Sequence, residues 1–259
     1  MSTVAEVAEE TAKIVDATRL RRLAEHKSRT VRIAVAQNPA AHDQTIERLL
    51  SDRDEVVRLA SAGNLADRPR LHAMVATSQE NELRAALART FARQDHRSLS
   101  YEVQAVLSKD PFSESRQGVA ETTNYLDLFE NLLNDADPKV RAWCAANPRI
   151  SREQMERLVT DRSWGVRAFT ASAGLRFPDD EQLMRLARDR SASVRWAVLF
   201  RPRRPREALE LLAEDPDELN RRHARSALVG GIMSDQIEAS AQAGRQRASN
   251  VAPFLLRPS

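Results

Sequence analysis

Apolar residues recur along the chain in pairs three positions apart: Ile46/Leu49, Phe129/Leu132, Met155/Leu158, Leu183/Leu186 and Leu209/Leu212. Such a pair places one apolar stripe on a short helix. Each pair runs into a polar stretch built around an Asp, as in Ser-Asp-Arg-Asp (51–54) and Asp-Ala-Asp-Pro (135–138), whose side chains turn the chain and cap a helix start. A second segment then opens with Val-Arg, at Val31, Val57, Val140, Val166 and Val194. It is rich in alanine: Ala34 and Ala36, Ala60 and Ala62, Ala86 and Ala88. It stops at Asn38-Pro39, Asn64, Asn147-Pro148 or Arg201-Pro202, and a residue before proline leaves helical space. The pattern predicts pairs of short helices, the second slim enough to pack closely on its neighbours.

The pairs keep a fixed register. An Asp followed six positions later by an Arg recurs as Asp52/Arg58, Asp110/Arg116, Asp135/Arg141, Asp161/Arg167, Asp189/Arg195 and Asp215/Arg221. Two further units keep the Arg alone: Arg32, with His26 in the Asp place, and Arg84, with Ser78 there. Successive arginines stand 26, 26, 32, 25, 26, 28 and 26 residues apart. A helix pair this short cannot bury its own stripe, so neighbouring pairs must stack to make a core. The expected fold is therefore all-α, a right-handed α–α superhelix (solenoid) of about eight two-helix repeats of ~26 residues. The Asp–Arg pairs are expected to form a structural ladder, each Arg bonding the Asp of its own or the neighbouring unit and satisfying helix ends. The longer step, from Arg84 to Arg116, puts an insertion within Arg93–Phe112. Residues 1–18 are expected to form an N-terminal capping helix, 19–230 the repeats, 231–243 a C-terminal capping helix and 244–259 a mobile tail.

The segment Val-Arg-x-Ala-x-Ala-x-Asn-Pro, followed by a leucine-bearing helix and Asp-x-x-x-x-Val-Arg, resembles the leucine-rich-repeat variant family, which is related in architecture to HEAT-like helical repeats. The resemblance spans roughly residues 20–228 and is clearest at 31–64 and 135–202. It implies a solenoid of short paired helices and says little about function. One type of variant repeat carries a cysteine-bound iron–sulfur cluster. This chain has only Cys144, so the cluster does not carry over.

Composition narrows the functional classes. Seven glycines and 5% aromatics in 259 residues argue against a many-stranded sandwich or barrel. No apolar run approaches the ~20 residues that cross a bilayer. The opening MSTVAEVAEE lacks the basic-then-apolar order of a secretory signal, and one cysteine makes no internal disulfide, so a cytoplasmic location and no membrane are expected. His26, His42, His72, His96 and His223 fall in different units without metal-ligand spacing, and no glycine-rich phosphate loop occurs. No catalytic residue, metal or cofactor is expected.

Charge is uneven. Residues 1–140 hold 19 Lys/Arg and 22 Asp/Glu, residues 141–259 hold 21 and 15. The densest stretch, Arg185–Arg206, has eight arginines against Asp189. Its run Arg201-Pro-Arg-Arg-Pro-Arg206 stands where other units make an uncharged Asn-Pro turn. Clustered guanidinium groups attract phosphates and carboxylates, while pairing with Glu207, Glu210 and Glu214 would make the same run a solvated turn. Aromatics gather in the same half. Trp143 and Phe169 occupy equivalent places where most units hold Ala or Gly; Trp196 and Phe200 follow, and Trp164 sits in the turn Arg-Ser-Trp-Gly. Bulky residues at small-residue positions either widen a core or stack on a ligand. The candidate anion- or partner-binding residues are accordingly Arg188, Arg190, Trp164, Trp196, Arg201, Arg203, Arg204 and Arg206, with Arg201, Arg203 and Arg204 expected to serve ligand binding and not folding. The favoured function is a non-catalytic scaffold for a protein or peptide partner. Nucleic-acid backbone binding through the Arg-rich repeats is the alternative, and a helical-repeat DNA glycosylase the second.

Overall fold

The computed structural model describes residues 3–90, 98–173 and 178–228. The expected C-terminal cap (231–243) and tail (244–259) lie outside them, as does most of the inserted stretch before Leu99. Among the described residues there are seventeen α-helices and no strands. The architecture is an all-α repeat, as a helical solenoid requires. The chain divides into two compact units, Met1–Leu128 and Phe129–Ser259.

The first unit holds α1 (Val4–Ala12), then alternating first and second helices: α2 (Ala17–Leu23), α3 (Arg29–Gln37), α4 (Asp43–Leu50), α5 (Glu55–Ala62), α6 (Pro69–Ala76), α7 (Asn81–Arg89), α8 (Tyr101–Leu107) and α9 (Ser113–Thr122). The division falls within α10 (Leu126–Leu133). The second unit continues with α11 (Pro138–Cys144), α12 (Arg152–Val159), α13 (Trp164–Ser172), α14 (Asp180–Leu186), α15 (Ala192–Leu199), α16 (Arg206–Leu212) and α17 (Glu218–Leu228). None of these helices is long and apolar enough to cross a membrane.

Helices this short are marginal alone and depend on packing. Their starts are capped locally: Asp54 accepts from Val56 N–H, Asp137 from Lys139 N–H, and Ser151 and Asp179 form reciprocal capping boxes with Gln154 and Gln182. The apolar stripes meet in the core. Ile46, Leu49, Leu132, Met155, Leu158, Leu183, Leu186 and Leu212 are all buried, with the Val31, Val57, Val140, Val166 and Val194 side chains beside them. Within each unit the second helices pack on their own first helices, as α5 on α4 and α13 on α12, and on the second helix of the next pair: α3 on α5, α5 on α7 and α7 on α9 in the first unit, α11 on α13, α13 on α15 and α15 on α17 in the second.

Helix α1 packs on α3 as a preceding second helix would. Asn38 donates to Thr11 O (2.9 Å) and Ile14 O (2.9 Å), just as Asn64 one repeat later donates to Ala36 O (2.9 Å) and Asn38 O (3.1 Å). An N-terminal helix therefore takes the place of half a repeat.

The α7–α9 junction is the tightest. A Cβ on Gly118 would lie 2.6 Å from Ala88 Cβ and 2.9 Å from the Ala88 carbonyl carbon. The equivalent positions Ala34, Ala60 and Ala86 carry a methyl and stay half-buried. Gly118→Ala should lower the urea midpoint and cost up to about 2 kcal/mol, because overpacking against the Ala88 backbone, toward the upper end of about 1–3 kcal/mol, outweighs the roughly 1 kcal/mol of helix propensity gained. An unchanged or raised midpoint would show that α7 and α9 separate without cost.

Candidate binding surface

The six-residue Asp-to-Arg spacing places each Arg on the first turn of a second helix, facing the turn that precedes it. In all eight pairs Arg Nη1 donates to the carbonyl six residues back, from Arg32 to His26 O through Arg221 to Asp215 O, at 2.6–2.9 Å. The side chain at that same position closes the turn by accepting the N–H two residues on. Asp does this in six pairs, His26 through Nδ1 and Ser78 through Oγ in the other two, at 2.7–3.1 Å. His26 and Ser78 thus keep the local role of the Asp.

What they lack is a carboxylate for the preceding Arg. Arg32, Arg84, Arg141, Arg167 and Arg195 fork onto the Asp of the next pair: Asp52, Asp110, Asp161, Asp189 and Asp215. Nε meets Oδ2 at 2.5–2.7 Å and Nη2 meets Oδ1 at 2.8–3.0 Å. Each Arg thus takes a carbonyl from its own pair and a carboxylate from the next. Where Ser78 replaces the Asp, Arg58 turns to Glu80 through Nε alone (2.8 Å), at a more exposed site.

Arg116, at the start of α9, shows what the six-residue spacing does and does not bring together. It is half-buried, with Nη1 donating to Asp110 O (2.7 Å) and Pro111 O (3.3 Å). Of the two arrangements expected for the ladder, the carboxylate bond runs to the neighbouring unit and the carbonyl bond stays within one. The Asp110 carboxylate faces back to Arg84, one pair earlier, and Arg116 meets Asp110 at the backbone carbonyl. The Asp110 carboxylate accepts the Phe112 N–H of its own turn and both prongs of the Arg84 fork. Burial opposes ionisation of Asp52, Asp110, Asp189 and Asp215. The forked guanidinium and the turn N–H more than offset it, so all four carboxyls titrate below their ordinary value.

A second row follows six residues after the ladder Arg. Asn38 and Asn64 occupy it and bond back to the preceding second helix, and Thr122 Oγ1 reaches Ala88 O there (3.4 Å). Arg201 holds this same register. It is 5% exposed, with Nη1 donating to Ala171 O (3.2 Å) and Ala173 O (2.9 Å) and Nη2 to Pro178 O (3.4 Å). The expectation that Arg201 binds a ligand and leaves folding untouched is therefore corrected: its guanidinium does the work of the Asn side chain. Arg204 is half-buried and donates to Arg201 O (2.7 Å). Burial lowers the pKa of both groups.

The rest of the basic run is partly engaged. Arg185 pairs with Glu156 and Glu181, and Arg206 with Glu210 (2.8 Å). Arg188, Arg190 and Arg203 are exposed; Arg188 makes one 3.4 Å bond to Met184 O. Trp164 is half-buried at the start of α13. Trp196 is buried, 4.6 Å from the Phe200 ring and 4.9 Å edge-on to His223.

The remaining aromatics lie two residues after the ladder Arg, a row that elsewhere carries Ala34, Ala60, Ala86, Gly118 and Ala197. Trp143 and Phe169 fill it on adjacent second helices, half-buried, with ring centroids 5.3 Å apart. His223 ends the row, 5.9 Å from Phe200, and Phe200 is 36% exposed at a place held by Gln37, Gly63, Arg89 or Ser172 in other pairs. Trp143, Phe169 and His223 are readable as departures once the arginines are aligned. The stacking between neighbours is not.

Residues 29–54 match the model of the leucine rich repeat variant family. The match opens at α3 and ends at the α5 cap, taking in Arg32 with its rung partner Asp52, and Asn38. The same carbonyl bond and turn closure recur in the other pairs, consistent with HEAT-like helical repeats. No curated protein matches the chain. Variant repeats build scaffolds for binding in general. Among the described residues no three His, Cys, Asp or Glu side chains converge on a metal site, and burial pushes the Cys144 thiol far above its ordinary pKa.

Two outcomes follow from the rows. Since folded carboxyls titrate below their unfolded value of about 3.9, their contribution is full above that pH and is lost as pH falls through the folded values. The urea midpoint should hold from neutrality to about pH 5 and drop steeply below about pH 4, with a shallower drop in Asp189→Asn; a flat profile to pH 3 would refute the ladder's contribution. Separately, Arg201→Ala should cost about 1–3 kcal/mol by orphaning buried carbonyls, while Arg203→Ala leaves the melting temperature unchanged. Equal melting of the two variants would contradict the assignment.

Proposed function

We propose that this variant-repeat chain is a non-catalytic cytoplasmic scaffold that takes a protein or peptide partner on the second-helix face of its second unit. The observation that carries the reading is the Trp143–Phe169 pair. Two large rings, half-buried and in contact, stand in a row that carries a methyl group or a glycine in every other pair but the last, where it holds His223. Half-buried aromatics on a rigid support are the usual anchors of protein interfaces, since they bring large apolar area at little conformational cost. The charge pattern supports a protein over a nucleic acid. Of the eight arginines in 185–206, Arg195 and Arg201 are held in the two structural rows, Arg204 is bound to backbone, and Arg185 and Arg206 pair with glutamates. That leaves Arg188, Arg190 and Arg203, fewer than a phosphate-tracking groove commonly uses.

The test is selection of peptides from a displayed random library on the intact chain, then titration of the selected peptides. Trp143→Ala and Phe169→Ala should each weaken binding at least tenfold, about 1.4 kcal/mol, with the far-ultraviolet spectrum and melting midpoint showing a folded chain. Duplex and single-stranded DNA and RNA should bind weakly at physiological salt. Tight nucleic-acid binding with a steep salt slope, abolished by Arg188→Ala and Arg190→Ala and indifferent to the two aromatics, would replace this reading with the phosphate-binding one.

A further inference from the structure

Among the described residues, the ladder has an unfilled place at Arg221. Arg221, on α17, is held like every other ladder Arg: Nη1 donates to Asp215 O at 2.6 Å, and the side chain is half-buried. One rung earlier, Arg195 is anchored the same way on Asp189 O (2.8 Å) and forks onto Asp215. Among the described residues the Nε and Nη2 of Arg221 meet no carboxylate; its only other bond is from Nη1 to Pro216 O at 3.4 Å. A guanidinium fixed on one side with its fork open is pre-ordered for a planar, two-oxygen acceptor, so little freedom is lost on binding.

The chain does not fill the place at its own repeat spacing. In the five forked rungs the Asp follows its Arg by 20 residues (Arg32, Arg141, Arg195), 22 (Arg167) or 26 (Arg84). Counted from Arg221, that window is 241–247, Ala-Gln-Ala-Gly-Arg-Gln-Arg, which has no acid. A second copy joined head to tail does not fill it either, because the first turn of the repeats presents His26 where an Asp would be needed. We propose that Arg221 is a receptor for a partner protein's Asp-headed helix turn, a carboxylate arriving as Asp52, Asp110, Asp161, Asp189 and Asp215 do inside the chain. The site is on α17, not on the α11 and α13 aromatics, and does not rest on the peptide-scaffold reading.

The experiment uses the full chain labelled with 15N-arginine and follows the Nε–H signals. The probe is an end-blocked peptide of sequence 209–219, Leu-Glu-Leu-Leu-Ala-Glu-Asp-Pro-Asp-Glu-Leu, and its control carries Asp215→Asn, leaving four other acids in place. Arg221→Lys, which keeps the charge but not the fork, assigns the Arg221 signal; backbone-linked assignment of the wild type serves if that variant does not fold. The Asp peptide should move the Arg221 signal in a saturable, one-to-one manner and leave the exposed neighbour Arg222 in place, and the Asn peptide should lose at least tenfold in affinity. No movement at millimolar peptide would overturn the proposal. So would equal movement with both peptides, or with Arg222, since the fork would then be answering charge alone. It would also fall if Asp235→Asn or Glu238→Gln moves the Arg221 signal in the absence of peptide, because the chain would then be filling its own last rung.

Discussion

A guanidinium shared between two consecutive helix pairs is the constraint on which the rest of this structure depends. A buried ion pair is a doubtful stabiliser, because desolvating both charges offsets most of their attraction. Here the desolvated groups are nearly saturated. The carboxylate of Asp161 accepts two bonds from Arg141 and one from Ser163 N–H, and Arg141 adds carbonyls of its own turn. Such an arrangement accepts one partner at one height and one angle. Its main product is register: each pair is locked to the next at the turn, and the alanine-lined second helices meet at a fixed depth.

That register sets what the neighbouring positions can hold. With the turn end pinned by the fork, the far ends of α3 and α5 are pinned by the row six residues on, where Asn38 and Asn64 close the carbonyls of the helix before them. The requirement at that place is a buried donor that reaches two carbonyls, and chemistry other than Asn satisfies it. Arg201 does so with a longer arm, which goes with the altered turn behind it. The same tolerance appears in the ladder: Ser78 and His26 keep the turn bond and drop the carboxylate, and Glu80 supplies a single-pronged substitute to Arg58.

These substitutions explain why the fold was legible in the chain and much of the surface was not. Periodicity survives in sequence because in all eight pairs the Arg closes the carbonyl six residues back, and in five it also holds the carboxylate of the next pair. The apolar i, i+3 pairs survive through their burial. Which Asp an Arg holds is less legible: Asp110 and Arg116 are six apart in sequence, yet the carboxylate belongs to Arg84, 26 residues away. Arg201 was misread because side-chain type, an Arg among arginines, was weighed above register; its spacing of six from Arg195 matches that of Asn38 from Arg32. Arg68 escaped notice altogether. It stands off the register, yet it is buried and donates to Asn64 O, Ala41 O and Asp43. Nothing in local spacing signals a side chain whose partners lie 25 to 27 residues away.

The aromatic row is the complement of this logic. Two residues after the ladder Arg, the fork and the back-bonding row impose no polar requirement, and the position is partly open to solvent in most pairs. Where neighbours approach closest, at Gly118 against Ala88, even a methyl is too large. Where α11 and α13 meet, the same position admits an indole and a phenyl ring in contact. Ring area left half-exposed on a surface whose backbone is held by buried forks costs solvation free energy in the unbound state. The frame does not need it: Ala34, Ala60 and Ala86 serve the equivalent junctions with a methyl. The packing thus admits these rings without requiring them, which leaves the position open to the partner proposed above.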